Sequence, residues 1–141
     1  MRKTTLSNTL TPLRRAVLSV LIKNRSAMGA YDIQHELAAR EKKQIAPMSV
    51  YRAVTFLVQS GRAHAIRSIN AFVACADAGG CTNATRRRQA AFFICTGCRQ
   101  VKEINAHKSY QSLQSLAKDF AMEAHGLEVV GLCRRCHRKN G

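Results

Sequence analysis

Apolar residues recur at helical spacing three times in the first half of the chain. Leu13, Val17, Val20 and Leu21 share one face of a predicted helix over residues 12–23, with Pro12 suited to an early helical position. Ile33 and Leu37, four apart, predict a second helix over about 30–43 that ends in the charged run Arg40-Glu41-Lys42-Lys43. Pro47 opens a third, whose Val50, Val54, Leu57 and Val58 form an apolar stripe, and Gly61 closes it as a C-terminal cap. Two short segments, His64 to Ser68 and Ala71 to Cys75, then flank Ile69-Asn70 and predict a β-hairpin. Three compact helices and a hairpin make a winged helix-turn-helix, in which the third helix reads a DNA major groove. A three-helix core with an incidental hairpin is the alternative.

Residues 76–90 break this pattern with Gly79-Gly80, small polar residues and the run Arg86-Arg87-Arg88, and read as a loop between modules. The arginines either touch a phosphate backbone or stay solvated. A second module follows: strands over Phe92 to Cys95 and Val101 to Ile104, a helix over about 107–125, and a strand over Leu127 to Cys133. The helix carries the stripe Leu113, Leu116, Ala117 and Phe120 and stops at Gly126. The expected organisation is a winged-helix domain over 1–76, a linker over 77–90 and a small α/β domain over 91–141, an α+β chain as a whole. A module of about 50 residues has a small core and needs a metal staple, a partner subunit or both.

Composition adds a partner. The chain has 141 residues, 46% of them apolar, and a formal charge of +15. Residues 1–75 carry +9 and residues 76–141 carry +6, so both halves favour a polyanion, of which nucleic acid is the commonest. No run of about 18 uncharged apolar residues exists to cross a membrane. The basic start lacks the apolar stretch of a secretory signal, which leads to the expectation of a cytoplasmic protein with reduced thiols.

Four of the six cysteines fall into two Cys-x-x-Cys pairs, Cys95 with Cys98 and Cys133 with Cys136. Thiolates three apart on a tight turn point the same way, and strand, helix and strand between the pairs bring the chain back to its origin. Zinc takes four such ligands tetrahedrally, so a structural zinc is expected at these four residues. A redox-active Cys-x-x-Cys is normally a single pair at a helix start. A closed four-sulfur site has no open coordination position and offers no catalysis. A zinc deaminase would need His-x-Glu and Pro-Cys-x-x-Cys, whereas Ile94 precedes Cys95, so an enzyme is not expected.

Cys75, Cys81 and five histidines remain. With a hairpin symmetric about Ile69-Asn70, His64 faces Cys75 directly, about 4.5–5.5 Å apart at Cβ and able to share a metal ion. Each is otherwise a small buried thiol or a hydrogen-bonded imidazole.

The ordered motifs Leu10-Thr11-Pro12-Leu13-Arg14, Ala30-Tyr31-Asp32, Ser49-Val50-Tyr51-Arg52-Ala53-Val54 and Phe93-Ile94-Cys95-Thr96-Gly97-Cys98 lead on to Val101-Lys102-Glu103 and Gly131-Leu132-Cys133-Arg134-Arg135-Cys136. In this order they resemble the ferric uptake regulator (Fur) superfamily, and within it the zinc-responsive branch. The resemblance implies an N-terminal winged-helix DNA-binding domain, a C-terminal α/β dimerisation domain and a homodimer that binds a palindromic operator when metal-loaded. It implies a recognition helix whose Tyr-Arg pair is Tyr51 and Arg52. Helical geometry agrees, because Arg52, Thr55 and Gln59 lie opposite the apolar stripe with Tyr51 at its flank. Ser49 and Tyr31 complete the expected DNA-binding set.

The resemblance further implies a regulatory zinc held by a His and a Cys of the wing region, a later His and a Glu, matched here by His64, Cys75 and Glu103. The later His is absent: Arg88 stands in its place, and Cys81 in the lengthened loop is the expected substitute. His125 is a further candidate ligand, or a cation at a helix C-terminus. The expected function is a zinc-responsive repressor of zinc-uptake genes with one structural and one regulatory zinc per protomer. Alternatives are a sensor of iron, manganese or peroxide, against which Cys75 argues by its softness, and a constitutive nucleic-acid binder with structural zinc alone.

Overall fold

The computed structural model describes residues 10–24, 26–76, 89–121 and 126–141. It divides into two compact units, Met1–Cys75 and Ala76–Gly141.

In the first unit, α1 spans Pro12–Lys23, α2 Ala30–Glu41 and α3 Pro47–Gln59. Each start has a local cause. Thr11 Oγ1 accepts the Arg14 N–H at 3.3 Å, with Pro12 at the first helical position. The Asp32 carboxylate accepts the Gly29 N–H at 2.9 Å, closing the start of α2. Two of the ends have one too. α2 stops at Glu41, two residues before the predicted end, because Lys42 turns into the left-handed region at φ 48°. Gly61, at φ 77°, terminates α3: the Arg62 N–H reaches the Leu57 carbonyl and the Gly61 N–H that of Val58, the paired bonds of a Schellman motif. The predicted stripes converge on one core, in which Val17, Val20, Leu21, Ile33, Leu37, Val50, Val54 and Leu57 are all but inaccessible.

The wing is β1, Ala63–Ile66, antiparallel to β2, Ala71–Ala74. Met28, in the α1–α2 connection, exchanges backbone bonds with Phe72 at 2.9 and 2.8 Å and ties the wing to the helices. The register differs from the expected one: His64 pairs with Val73, and Cys75 donates its N–H to the Arg62 carbonyl at 2.9 Å. The cause is the turn. Residues Arg67–Ile69 form a 3₁₀ turn and Asn70 takes the left-handed conformation at φ 46°, which Asn tolerates and Ile69 would not. The hairpin is therefore centred between Ser68 and Ile69, one position before the expected centre between Ile69 and Asn70. His64 and Cys75 still share a sheet face, as diagonal and not direct neighbours.

In the second unit, β3 (Ala90–Cys95) lies between β4 (Val101–Asn105), antiparallel to it, and β5 (Leu127–Gly131), parallel to it. The parallel pairing requires a crossover, which carries α4, His107–Leu116. That helix is shorter than predicted. The chain leaves helical geometry at Ala117, so Phe120 is not on its stripe, and Leu116 and Phe120 are 85% and 70% exposed. Its first turn meets the sheet, where Tyr110 packs with Ala91, Ala106 and Leu127. The last strand ends at Gly131, before Cys133, and a short helix not foreseen from the pattern, α5 over Arg134–Asn140, follows with Cys133 as its N-cap residue.

Candidate metal centres and nucleic-acid face

The tetrathiolate is built where β3 and β5 end side by side. Cys95 is the last residue of β3 and pairs with Gly131, the last of β5. The first knuckle is shaped by two backbone bonds, Arg99 N–H to the Cys95 carbonyl at 2.8 Å and Cys95 N–H to the Gln100 carbonyl at 2.9 Å, with Arg99 left-handed at φ 61°. The second knuckle is a helix start: Cys133 precedes α5 and Cys136 lies within its first turn. The Thr96 N–H donates to the Gly131 carbonyl at 2.8 Å and the Cys133 N–H to Cys95 Sγ at 3.3 Å, locking one knuckle to the other.

The four sulfurs lie within 4.8 Å of one another, with Cys98 Sγ 3.8 Å from Cys133 Sγ. A tetrahedron with Zn–S bonds of about 2.3 Å has an edge of about 3.8 Å. The four thiols therefore fit a zinc ion in kind, number and spacing. Their acidities are already unequal. The amides of Cys133 and Cys98 hold the Cys95 thiol at about 6, below its ordinary 9.0. Cys133 is lowered as well, chiefly by the Cys136 amide. Cys136, hydrogen-bonded to Cys133, is pushed up to about 12 and keeps its proton longest.

The wing presents a pair of candidate ligands. His64 is buried in β1, Cys75 is half-buried just after β2, and their ligand atoms lie within 4.8 Å of each other despite the shifted register. In the second unit, Glu103 of β4 accepts the Ala76 N–H on Oε2 at 3.0 Å. Cys81, Arg88, His125 and the run Arg86-Arg87-Arg88 lie outside the described residues.

On α3, burial of Val50, Ala53, Val54 and Leu57 turns Tyr51, Arg52 and Gln59 outward, with Ser49 and Thr55 half-buried beside them. Thr55 Oγ1 donates to the Tyr51 carbonyl at 2.8 Å, so its hydroxyl proton serves the helix. Tyr31, in the first turn of α2, is 76% exposed. One residue of this face was missed. Met48 is 59% exposed one helical turn before Arg52, and its spacing of four from Arg52 was the available signal. Arg14 stacks on the Phe56 ring at 3.6 Å, which fixes α1 against α3.

The profile of the ferric uptake regulator family matches residues 6–130. The chain belongs to this family. Among its relatives, the zinc uptake regulation protein of Escherichia coli (strain K12) is 34% identical over 129 residues, 90% of this chain and 72% of that protein. A solved zinc uptake regulator complexed with zinc and DNA superposes with a TM-score of 0.80 at 34% identity, over 94% of this chain and 85% of that one. The crystal structure of holo XcZur gives a TM-score of 0.72 at 34% identity, over 92% of this chain and 86% of that one. No helix among the described residues is long and apolar enough to cross a membrane.

Proposed function

We propose that this member of the family is a zinc-responsive transcriptional repressor that binds operator DNA as a metal-loaded homodimer in the cytoplasm and controls zinc uptake genes. The observation that carries this reading is the likeness, over 94% of the chain, to a zinc uptake regulator complexed with zinc and DNA. The exposed Tyr51-Arg52 pair on α3 supports it, since Arg can bond a guanine edge bidentately while Tyr meets a phosphate or thymine methyl. Ser49, Thr55, Gln59 and Tyr31 flank that pair, and Met48 adds an apolar contact for a thymine methyl.

Two zinc ions then have different roles. Cys95, Cys98, Cys133 and Cys136 hold a structural ion that closes the small second unit, with no coordination position open for catalysis. His64, Cys75 and Glu103, completed by Cys81, hold the regulatory ion. Imidazole and thiolate in one set favour zinc over iron or manganese by softness. Zinc binding at these residues couples to the DNA-competent arrangement of the homodimer, so operator affinity and free zinc are linked reciprocally.

The experiment is operator binding across a buffered zinc series with the tetrathiolate kept loaded. Affinity should rise with free zinc in the wild type and lose that dependence in a His64→Ala variant. Zinc-independent affinity would instead support a constitutive binder, and a response to iron or manganese alone would support a sensor of another metal.

A further inference from the structure

Two glycines flank the tetrathiolate, and they differ sharply in what surrounds them. A Cβ built on Gly131, at the end of β5, meets nothing within 4 Å. A Cβ built on Gly97, inside the first knuckle, lies 2.9 Å from Cys136 Sγ, 3.1 Å from Cys136 Cβ and 3.4 Å from Leu132 Cδ2. The first of these is closer than packed atoms approach, and the second requires the neighbour to give way. The backbone on either side is held, so the Cys136 side chain is what must move. Cys136 sits on α5, whose start is fixed by the His137 N–H to Cys133 carbonyl bond at 2.8 Å. The facing backbone is fixed too, by the Thr96 N–H to Gly131 carbonyl bond beside it.

Gly97 is not in the left-handed region, so its backbone conformation does not call for glycine. What calls for glycine is the sulfur of the opposite knuckle, which passes over the Cα of Gly97 where a side chain would stand. We infer that Gly97 is a positioning residue for the fourth zinc ligand: its missing side chain is the space through which Cys136 reaches the metal. The inference rests on the tetrathiolate holding zinc, which the zinc content of the wild type tests separately.

In Gly97→Ala the added methyl displaces Cys136 and leaves zinc on Cys95, Cys98 and Cys133 with a water in the fourth position. A closed site becomes an open one. Three readouts follow with the full-length protein. Transfer of the structural zinc to a colorimetric chelator should quicken about 10–100-fold, the scale on which supporting residues act on metal sites. With Co²⁺ in place of zinc, the thiolate-to-metal charge-transfer band should fall by the intensity of one thiolate. Alkylation followed by peptide mapping should label Cys136 and spare the other three.

Gly131→Ala is the matched control and should change none of these. Gly97→Ala should also be silent in a Cys136→Gly background, where both close atoms are gone, and this arm decides even if the single variant does not fold. Wild-type cobalt spectrum and zinc transfer in Gly97→Ala would overturn the proposal. So would a further loss from Gly97→Ala in the Cys136→Gly background. A wild type without zinc on the four thiols would overturn the underlying reading of the site instead.

Discussion

Truncating Arg52 to alanine separates reading from folding on one helix. Arg52 is exposed on α3, opposite Val50, Val54 and Leu57, which are completely buried. An exposed side chain outside the core changes stability by no more than about 0.5 kcal/mol. A bidentate arginine contact to a base contributes about 1–3 kcal/mol of discrimination, which is about 5- to 150-fold in affinity at each half-site. Leu57→Ala is the reciprocal change on the buried face: it leaves a cavity and costs about 2–5 kcal/mol of stability with the reading face intact. The assay is paired, with thermal unfolding on one side and fluorescence anisotropy on operator and scrambled duplexes at fixed salt on the other. Arg52→Ala should keep its melting temperature and lose affinity for the operator far more than for the scrambled duplex. Equal losses on both duplexes, with the salt slope reduced by about one, would mean a phosphate contact and refute base readout. A loss of stability like that of Leu57→Ala would refute the assignment of the face itself.

Stripping the structural zinc should unfold the second unit first, because the buried cluster around Ala91, Ala106 and Tyr110 is far smaller than the core of the first unit. Hydrogen exchange should then show protection lost over β3–β5 and kept over α1–α3; simultaneous loss in both would count against the metal as the staple. Arg99 pays for its left-handed φ of 61° with steric strain, so Arg99→Gly should stabilise the zinc-loaded protein by about 0.5–1 kcal/mol in thermal unfolding. A destabilised variant would show that the Arg99 side chain outweighs the strain. Zinc loading at pH 7.5 should release fewer than four protons per structural ion, because Cys95 at about 6 is already a thiolate there. Calorimetry in buffers of different ionisation enthalpy counts them, and four released protons would contradict the depressed thiol.

The sequence alone determined whatever depends on local spacing. The three helices of the first unit follow from the period of Val17, Val20, Leu21, Ile33, Leu37, Val50, Val54 and Leu57. Their ends follow from Thr11, Pro12, Pro47 and Gly61, because caps and breakers act within one turn. The two Cys-x-x-Cys pairs likewise announced a tetrathiolate, since three-residue spacing on a turn aims both sulfurs one way.

Where an outcome depended on packing between distant segments, the sequence was insufficient. The wing register was decided by Asn70 taking the left-handed conformation, which moved His64 from Cys75 to Val73 while keeping the parity that puts both on one face. The early end of α4 is visible only in the fold, where Tyr110 has a core and Leu116 and Phe120 are exposed, although their spacing continues a helical stripe. The demand for glycine at position 97 has no local signature at all. It arises because Cys136, 39 positions along the chain, crosses that Cα, and only the folded chain brings those two atoms together.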